Sequence, residues 1–223
     1  MSGEWIADRV GLLVVLLMSL SVHEWAHAIS AYKLGDDTAS SQGRLTLNPL
    51  AHADPIGTLL LPLLGVPFGW ARPVPVNPVR FRRDVNMRSG MMITAAAGPF
   101  SNVVLALVCA VLIGLMRRFV PEVYVAQPAL PVFLGSMVRI NVVLALFNML
   151  PVPPLDGSRV ADGLMPRRLR PLWDRFYRVG PIALLALIVI PPLLGFSLIQ
   201  WPMAYFERFL GGLIQLIASG SLL

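Results

Sequence analysis

Long apolar segments recur along the whole chain and leave little room for a water-soluble domain. They cover residues 10–34, 54–68, 89–116, 129–150, 180–199 and 203–223 of a 223-residue sequence. A helix needs about 20 apolar residues to cross the hydrocarbon core of a bilayer, so the chain has material for five or six crossings. Hydrophobic residues make up 56% of it and charged residues 13%, against about 25% charged in ordinary soluble domains. This composition excludes disorder, a disulfide-stapled secreted domain and a soluble enzyme, and it predicts an integral membrane protein.

The positions of the basic residues support this interpretation. Seventeen of the eighteen are arginine, and eleven of these lie in two windows, 72–88 and 159–178. Both windows flank long apolar segments, which is the pattern of cytoplasmic loops under the positive-inside rule. The net charge of +6 is therefore a topology signal, and we expect no nucleic-acid partner. A compact, arginine-rich chain of this kind is expected to be a multi-pass protein of a prokaryotic inner membrane.

Two stretches depart from a plain series of spanning helices. Segment 54–68 contains Pro55, Pro62 and Pro67 and is short for a crossing, which predicts a re-entrant or broken helix as readily as a span. Residues 43–47 alternate between polar and apolar side chains, which indicates a short strand. The predicted fold is thus an all-α polytopic membrane protein of about five to six transmembrane or re-entrant helices, with one short β-strand element.

The first apolar segment carries ionisable residues at a spacing that suits a metal ion. In HEWAH (residues 23–27), His23 and His27 are four residues apart, so a helix places them on one face, where they can bind a single metal. Glu24 adjoins the first histidine and can act as general base. The alternative is a pair of structural histidines bonded to helix neighbours. Ionisable residues inside hydrocarbon are costly and mark functional sites, which favours the metal site.

A catalytic zinc site takes three protein ligands, and Asp156 is the best candidate for the third. It follows NMLPVPPL (residues 148–155) at the end of an apolar segment and precedes Gly157. The three prolines end the helix, and the glycine leaves the carboxylate at a sterically open corner. The alternative is an N-cap role for Asp156 in the helix that follows.

These two motifs together resemble the site-2 protease family of intramembrane zinc metalloproteases. HEWAH (23–27) and NMLPVPPLDG (148–157) are similar to the paired zinc motifs of that family. Three further stretches are similar to family blocks in the same order: NPLAHADPIGTLLLP (48–62), FGWARPVPVNP (68–78) and AAAGPFSN (95–102). The resemblance covers residues 10–165 and, since the sequence contains no PDZ or CBS module, implies a minimal member of the family.

The resemblance also implies roles for individual residues. Zinc would be held by His23, His27 and Asp156. Glu24 would act as general base and then general acid. Asn148 matches an asparagine thought to hold the substrate carbonyl or the developing oxyanion, and a helix–helix hydrogen bond is its alternative. His52 matches a position near the site and would position or polarise substrate; an interfacial histidine bonded to Asp54 or to backbone is its alternative.

The implied function is hydrolysis of peptide bonds in or near the transmembrane segments of membrane proteins or membrane peptides. One domain, 1–223, would hold a catalytic core in 10–165 and C-terminal transmembrane segments in 166–223. The short strand would lie near the active site, and 44–47 and 73–78 are candidate edges for an unwound substrate. A metal-ion transporter or a catalytically silent membrane-binding protein is the alternative. A transporter would not require Glu24, and the paired halves common in transporters are not visible.

Two further features are expected to have structural roles outside the proposed site. The small residues 95–98 are expected to let helices approach closely. Arg139 lies inside an apolar segment, where it is expected to snorkel or to pair with an acidic group that the sequence does not identify.

Overall fold

The computed structural model describes residues 3–64, 69–195 and 200–221. Within these ranges the chain is helical and contains no β-strand. Its α-helices are α1 (Gly3–Lys33), α2 (Thr38–Ser41), α3 (Pro49–His52), α4 (Leu61–Leu63), α5 (Met87–Phe119), α6 (Pro121–Ala126), α7 (Ala129–Asn148), α8 (Asp156–Leu164), α9 (Arg170–Leu193) and α10 (Gln200–Ser219). A π-helical turn (Pro55–Leu60) precedes α4, and 3-10 turns lie at Pro78–Arg80 and Arg167–Leu169.

Three of the described helices are long and apolar enough to cross a membrane. They are α1 over Arg9–Lys33, α5 and α7. The larger count of five to six crossings is not confirmed. Helix α9 carries its charged residues in its first half and is apolar from residue 179 onward, whereas α10 carries Glu207 and Arg208 in its middle. Residues 196–199 and 222–223, which complete the last two apolar segments, lie outside the described ranges.

The segment that follows α3 is not a continuous helix. From Pro55 it forms the π-helical turn and then the three-residue α4, which contains Pro62. These nine helical residues span about 14 Å at 1.5 Å per residue, less than half of what a crossing needs. Residues 65–68, with Pro67, lie outside the described ranges.

The strand predicted over 43–47 does not form. Residues 44–47 run as an irregular loop and make no backbone ladder with another described segment, whereas a strand needs such a neighbour for its backbone groups. In the extended segment 71–77, the N–H of Arg72 donates to the carbonyl of His52 at 2.9 Å. The N–H of Asn77 donates to the carboxylate of Asp36 at 2.6 Å. Alternation along five residues was therefore not sufficient evidence for a strand.

Helix α5 lies at the centre of the described bundle, in contact with α1, α7, α8 and α10. One apolar cluster joins α1, α5 and α7 through Val15, Cys109, Ile113, Leu134 and Met137. A second joins α5, α7 and α10 through Ala106, Ala110, Val142, Met203 and Leu210. Small side chains at such contacts let membrane helices approach closely. The packing fixes one face of α5 against the histidine face of α1.

Candidate metal centre

The face of α1 that carries His23 and His27 is buried, and Asp156 reaches it from the start of α8. Nε2 of His23 lies 3.0 Å from Nε2 of His27 and 3.1 Å from Oδ2 of Asp156. Nε2 of His27 lies 3.3 Å from the same carboxylate oxygen. The N-cap of α8 is Leu155, so the carboxylate of Asp156 faces the histidines and does not cap its own helix. The structure thus brings together the three residues that the sequence predicted as ligands.

The hydrogen bond on the outer side of the His27 ring decides which of its nitrogens carries the proton. Nδ1 of His27 lies 2.7 Å from the backbone carbonyl oxygen of Thr94. Because a carbonyl oxygen only accepts, Nδ1 donates, and Nε2 of the neutral imidazole keeps its lone pair. That lone pair points into the ligand cluster.

A chain of buried amides fixes the His23 ring in the same way. Nδ1 of His23 lies 2.6 Å from Oδ1 of Asn102, and Nδ2 of Asn102 donates to Oδ1 of Asn141 at 2.7 Å. Nδ2 of Asn141 donates in turn to the carbonyl of Met137 at 2.8 Å. The Met137 carbonyl can only accept, so Asn141 points its NH2 group at that carbonyl and its oxygen at Asn102. Asn102 in turn points its NH2 group at Asn141 and its oxygen at His23. His23 therefore also donates through Nδ1 and keeps its lone pair on Nε2.

Three acceptor atoms consequently face one another: two imidazole nitrogens and one carboxylate oxygen. Such a cluster is repulsive unless a cation lies at its centre. The separations of 3.0 to 3.3 Å are close to the edge of a tetrahedron with zinc–ligand bonds of about 2.0–2.1 Å, which is about 3.3–3.4 Å. Two histidines and one carboxylate are also a usual ligand set for a catalytic zinc that keeps one position open. The residues present therefore fit a zinc ion.

Two glycines make room for this arrangement. A Cβ built on Gly98 of α5 would lie 2.7 Å from Cε1 of His23 and closer still to the ring of His27. A Cβ built on Gly157 would lie 2.5 Å from the carbonyl oxygen of Leu150, so glycine lets the first turn of α8 pass the end of α7. The small residues 95–98, which the sequence assigned to packing, thus include one that also clears space for both imidazoles.

Glu24, next to His23 on α1, is buried beside the ligand cluster and held by the segment that precedes α5. One of its carboxylate oxygens, Oε2, accepts the N–H of Val74 at 2.8 Å. Arg44 is buried in the surrounding loop and donates to the carbonyl of Arg72. Burial lowers the pKa of Arg44 and the charge of Arg72 lowers it further, while the negative charge of Glu24 raises it. Arg44 thus places a buried cation within electrostatic reach of Glu24.

A cavity of about 620 Å³ opens onto the ligand cluster. Its walls are mostly apolar and come from α1, α5, α7, α9 and the extended segment that contains Val74. Asn148 lines this cavity at the end of α7, and its Nδ2 donates to the carbonyl of Leu144 in its own helix at 3.0 Å. The volume lies within the range of about 300–1,000 Å³ that is usual for binding sites.

His52 is placed differently from the other candidates, outside the walls of this cavity. It is the last residue of α3 and is buried, with Nε2 2.8 Å from the carbonyl oxygen of Thr46. Its own carbonyl accepts the N–H of Arg72 at 2.9 Å. His52 thus ties the loop before α3 to the extended segment, which corresponds to the backbone-bonded histidine considered from the sequence.

The groups that orient the two histidines were not identified from the sequence. Thr94, Gly98 and Asn102 follow one another at intervals of four on α5, the interval that also separates the histidines on α1. Asn102 and Asn141 are amides inside membrane-spanning segments, where an unpaired polar group is costly. This matched spacing, together with the two amides, is the signal that could have revealed them.

Fold and site together define a class of protein: a helical, membrane-embedded protein with a buried His–His–Asp cluster that fits zinc, beside a glutamate. A family model described as peptidase family M50 matches residues 119–191. YwhC of Bacillus subtilis (strain 168) is 44% identical over 193 residues, which are 86% of this chain and 84% of that protein. Rip2 of Mycolicibacterium smegmatis is 31% identical over 233 residues, 97% of this chain and 84% of that protein. Both relatives carry a provisional zinc metalloprotease name.

The chain belongs to peptidase family M50, the family of the site-2 proteases. This confirms the resemblance on which the sequence interpretation rested. The family and the names of the relatives support a zinc-dependent protease. No solved structure matches the chain.

Proposed function

We propose that this protein is an intramembrane zinc endopeptidase that cuts membrane proteins or membrane peptides in or near their transmembrane segments. One observation carries the proposal: three acceptor atoms that fit a metal converge beside a buried glutamate, on the wall of an apolar cavity. The two histidines lie on a helix that is long and apolar enough to cross a membrane. The bacterial relatives support a prokaryotic inner membrane as the location, with the chain crossing it several times.

In this proposal His23, His27 and Asp156 hold the zinc ion. When bound, zinc polarises the scissile carbonyl and lowers the pKa of its water to about 7. The protein keeps both imidazoles ready for the metal, because Thr94 and Asn102 accept the Nδ1 protons and leave Nε2 free. Outer partners of this kind fix ring orientation and raise the basicity of the ligand.

Glu24 is the proton carrier of the proposed reaction. Its carboxylate takes a proton from the attacking water, whose oxygen forms a bond to the scissile carbonyl carbon. Glu24 then gives this proton to the amide nitrogen as the C–N bond breaks, so the products are one carboxylic acid and one amine. The N–H of Val74 holds one carboxylate oxygen throughout, which fixes the direction in which the other oxygen can accept.

Asn148 and His52 have supporting roles in the proposal. Asn148 lines the cavity, and rotation of its side chain away from Leu144 would free its N–H groups to donate to the developing oxyanion. His52 acts through the backbone: its bonds to Thr46 and Arg72 hold the extended segment that carries Val74. It is therefore proposed as a positioning residue.

The substrate must present its backbone to the cavity. A transmembrane helix satisfies its carbonyls internally, so the substrate has to unwind before attack. The segment 71–77 lies extended along the cavity wall, and its prolines at 73 and 75 keep it from coiling into a helix. We infer that the unwound substrate lies beside this segment, with its side chains in the apolar part of the cavity.

Mapping of new protein N termini in whole membranes tests the proposal without knowledge of the substrate. Membranes are compared from cells that produce the wild type, Glu24→Gln or Glu122→Gln, the last being a matched change on the exposed face of α6. New N termini inside transmembrane segments are expected with the wild type and Glu122→Gln. They should fall by about 10²–10⁴-fold with Glu24→Gln, the usual contribution of a general base.

Metal content of the purified proteins completes the test. Glu24→Gln is expected to bind zinc as the wild type does, because Glu24 is not among the proposed ligands. New termini that persist undiminished with Glu24→Gln would refute the proposed chemistry. A wild type that binds zinc, yields no new termini and raises zinc uptake into cells would favour the transporter.

A further inference from the structure

A second cavity of about 260 Å³ lies between α7 and α10, on the side of α7 that faces away from the metal centre. Arg139 and Glu207 both line it, together with Gly135 and Gly211 and apolar side chains. We name these four residues and the cavity between them the α7–α10 groove. The groove is open to the outside of the described bundle, and both charged side chains are exposed.

Arg139 lies near the middle of a membrane-spanning helix. Ten residues separate it from the start of α7 at Ala129, which corresponds to about 15 Å at 1.5 Å per residue. This is half of the roughly 30 Å hydrocarbon core. An arginine at that depth is too far from either surface to leave hydrocarbon easily, and such residues normally face a partner or a cavity.

Glu207 is the acidic group that faces Arg139 across the groove. Among the described residues neither side chain makes a hydrogen bond or an ion pair. The surface therefore presents one positive and one negative charge, and neither charge is in an ion pair. A partner that covers it must supply one charge of each sign at a similar spacing and depth.

The helix faces beside these charges are open. Gly135 is four residues before Arg139 on α7, and Gly211 is four residues after Glu207 on α10, so each glycine shares a face with its charged residue. A Cβ built on either glycine meets no atom within 4 Å. Small residues on a lipid-facing surface let a second helix approach closely.

We propose that the α7–α10 groove is the interface of a homodimer, in which Arg139 of each copy pairs with Glu207 of the other. Two copies in one membrane have the same orientation, so their twofold axis runs along the membrane normal and keeps every residue at its depth. An axis that stands in front of the groove therefore places Arg139 of each copy opposite Glu207 of the other. The same face thus supplies both charges that its partner must have, and no further component is needed.

Charge reversal in two co-produced copies tests the pairing. The single variants Arg139→Glu and Glu207→Arg place like charges opposite each other in their own homodimers. In a mixed dimer of the two, both pairs are again of opposite sign. Each variant is produced with its own affinity tag, alone and together, and the complexes are captured from a mild detergent extract of the membranes.

Self-association is expected to fall at least tenfold in each single variant and to return to within about twofold of the wild type in the mixed dimer. A pair formed within one chain would give no such preference for the mixed dimer. The matched control is Arg208→Glu, which reverses the neighbouring charge outside the groove and should associate as the wild type does. Zinc content of each variant shows that it is folded.

A steric pair of variants gives a second measurement. Gly211→Leu fills the groove and should abolish self-association, whereas Gly212→Leu, on the adjacent position with equally open space, should not. Single reversals that associate like the wild type, or a mixed pair that associates no better than either alone, would overturn the proposal. Both measurements report self-association alone, so they do not depend on the proposed protease activity, which is tested separately by mapping new N termini.

Discussion

Replacement of Asn102 by leucine isolates the contribution of the buried amide chain to metal binding. Leucine has nearly the size of asparagine but cannot accept the Nδ1 proton of His23, which now bonds to Oδ1 of Asn102 at 2.6 Å. The ring loses the partner that holds its orientation and its tautomer. The three ligand atoms themselves remain on the chain.

The expected magnitude follows from the position of this hydrogen bond outside the ligand set. Removal of an outer partner of a zinc-bound histidine weakens metal affinity by about 10–100-fold, which is about 1.4–2.7 kcal/mol. Asn102 is fully buried, so no water replaces the lost acceptor. Folding is affected separately, because Asn141 also loses the donor that now reaches it at 2.7 Å.

Competition with a chelator of known affinity measures the zinc dissociation constant of the detergent-purified protein. Asn102→Asp is the informative companion, since a carboxylate still accepts from His23 but no longer donates to Asn141. Its zinc affinity is expected to lie within a few-fold of the wild type, although its thermal stability falls as it does for Asn102→Leu. Cobalt substitution adds a spectrum that reports the geometry around the metal.

Equal zinc affinity in the wild type and Asn102→Leu would refute the reasoning, because the amide would then have no part in orienting His23. So would equal losses in Asn102→Leu and Asn102→Asp, since both would then act only through the fold. Ser101→Ala removes the adjacent hydroxyl, which bonds within its own helix to the Gly98 carbonyl at 2.7 Å. It should leave zinc affinity unchanged.

Three shorter predictions concern the same centre. Asp156→Ala should reduce bound zinc from about one per chain to a small fraction by elemental analysis, whereas unchanged binding would exclude Asp156 as a ligand. Gly98→Ala places a methyl group against both imidazoles, so zinc content should drop while circular dichroism still reports a helical protein; full zinc content would show that α5 can move away. Val74→Pro removes the N–H that holds Glu24. A hydrogen bond to a charged group contributes about 1.5–3 kcal/mol, so its loss should lower the yield of new N termini by roughly 10–100-fold, while the zinc content stays unchanged.

The sequence pointed to His23 and His27 by a local spacing, and the resemblance of the two motifs to one family linked them to the distant Asp156. A spacing of four fixes His23 and His27 on one helix face, and a proline-rich stop before Asp156 fixes a corner. Long-range packing decides the rest. The strand predicted at 43–47 does not form because alternation does not supply a partner strand. The count of five to six spans is not confirmed, since three of the described helices are long and apolar enough to cross a membrane. Asn141 could not be connected to His23 without knowing that α7 lies beside α1 and α5.

The dependence of this site on α5 follows from its location in a membrane. In water, the outer nitrogen of a metal-bound histidine can donate to solvent, so a bare pair of histidines on one helix is nearly sufficient. Inside hydrocarbon no solvent is available, and every donor of the cluster needs a protein acceptor at a fixed place. Helix α5 supplies these at the repeat of the histidines themselves: Thr94 accepts from His27, Gly98 leaves the space, and Asn102 accepts from His23. The two histidines are therefore only half of the proposed zinc site, and the acceptors on the helix that packs against them are the other half.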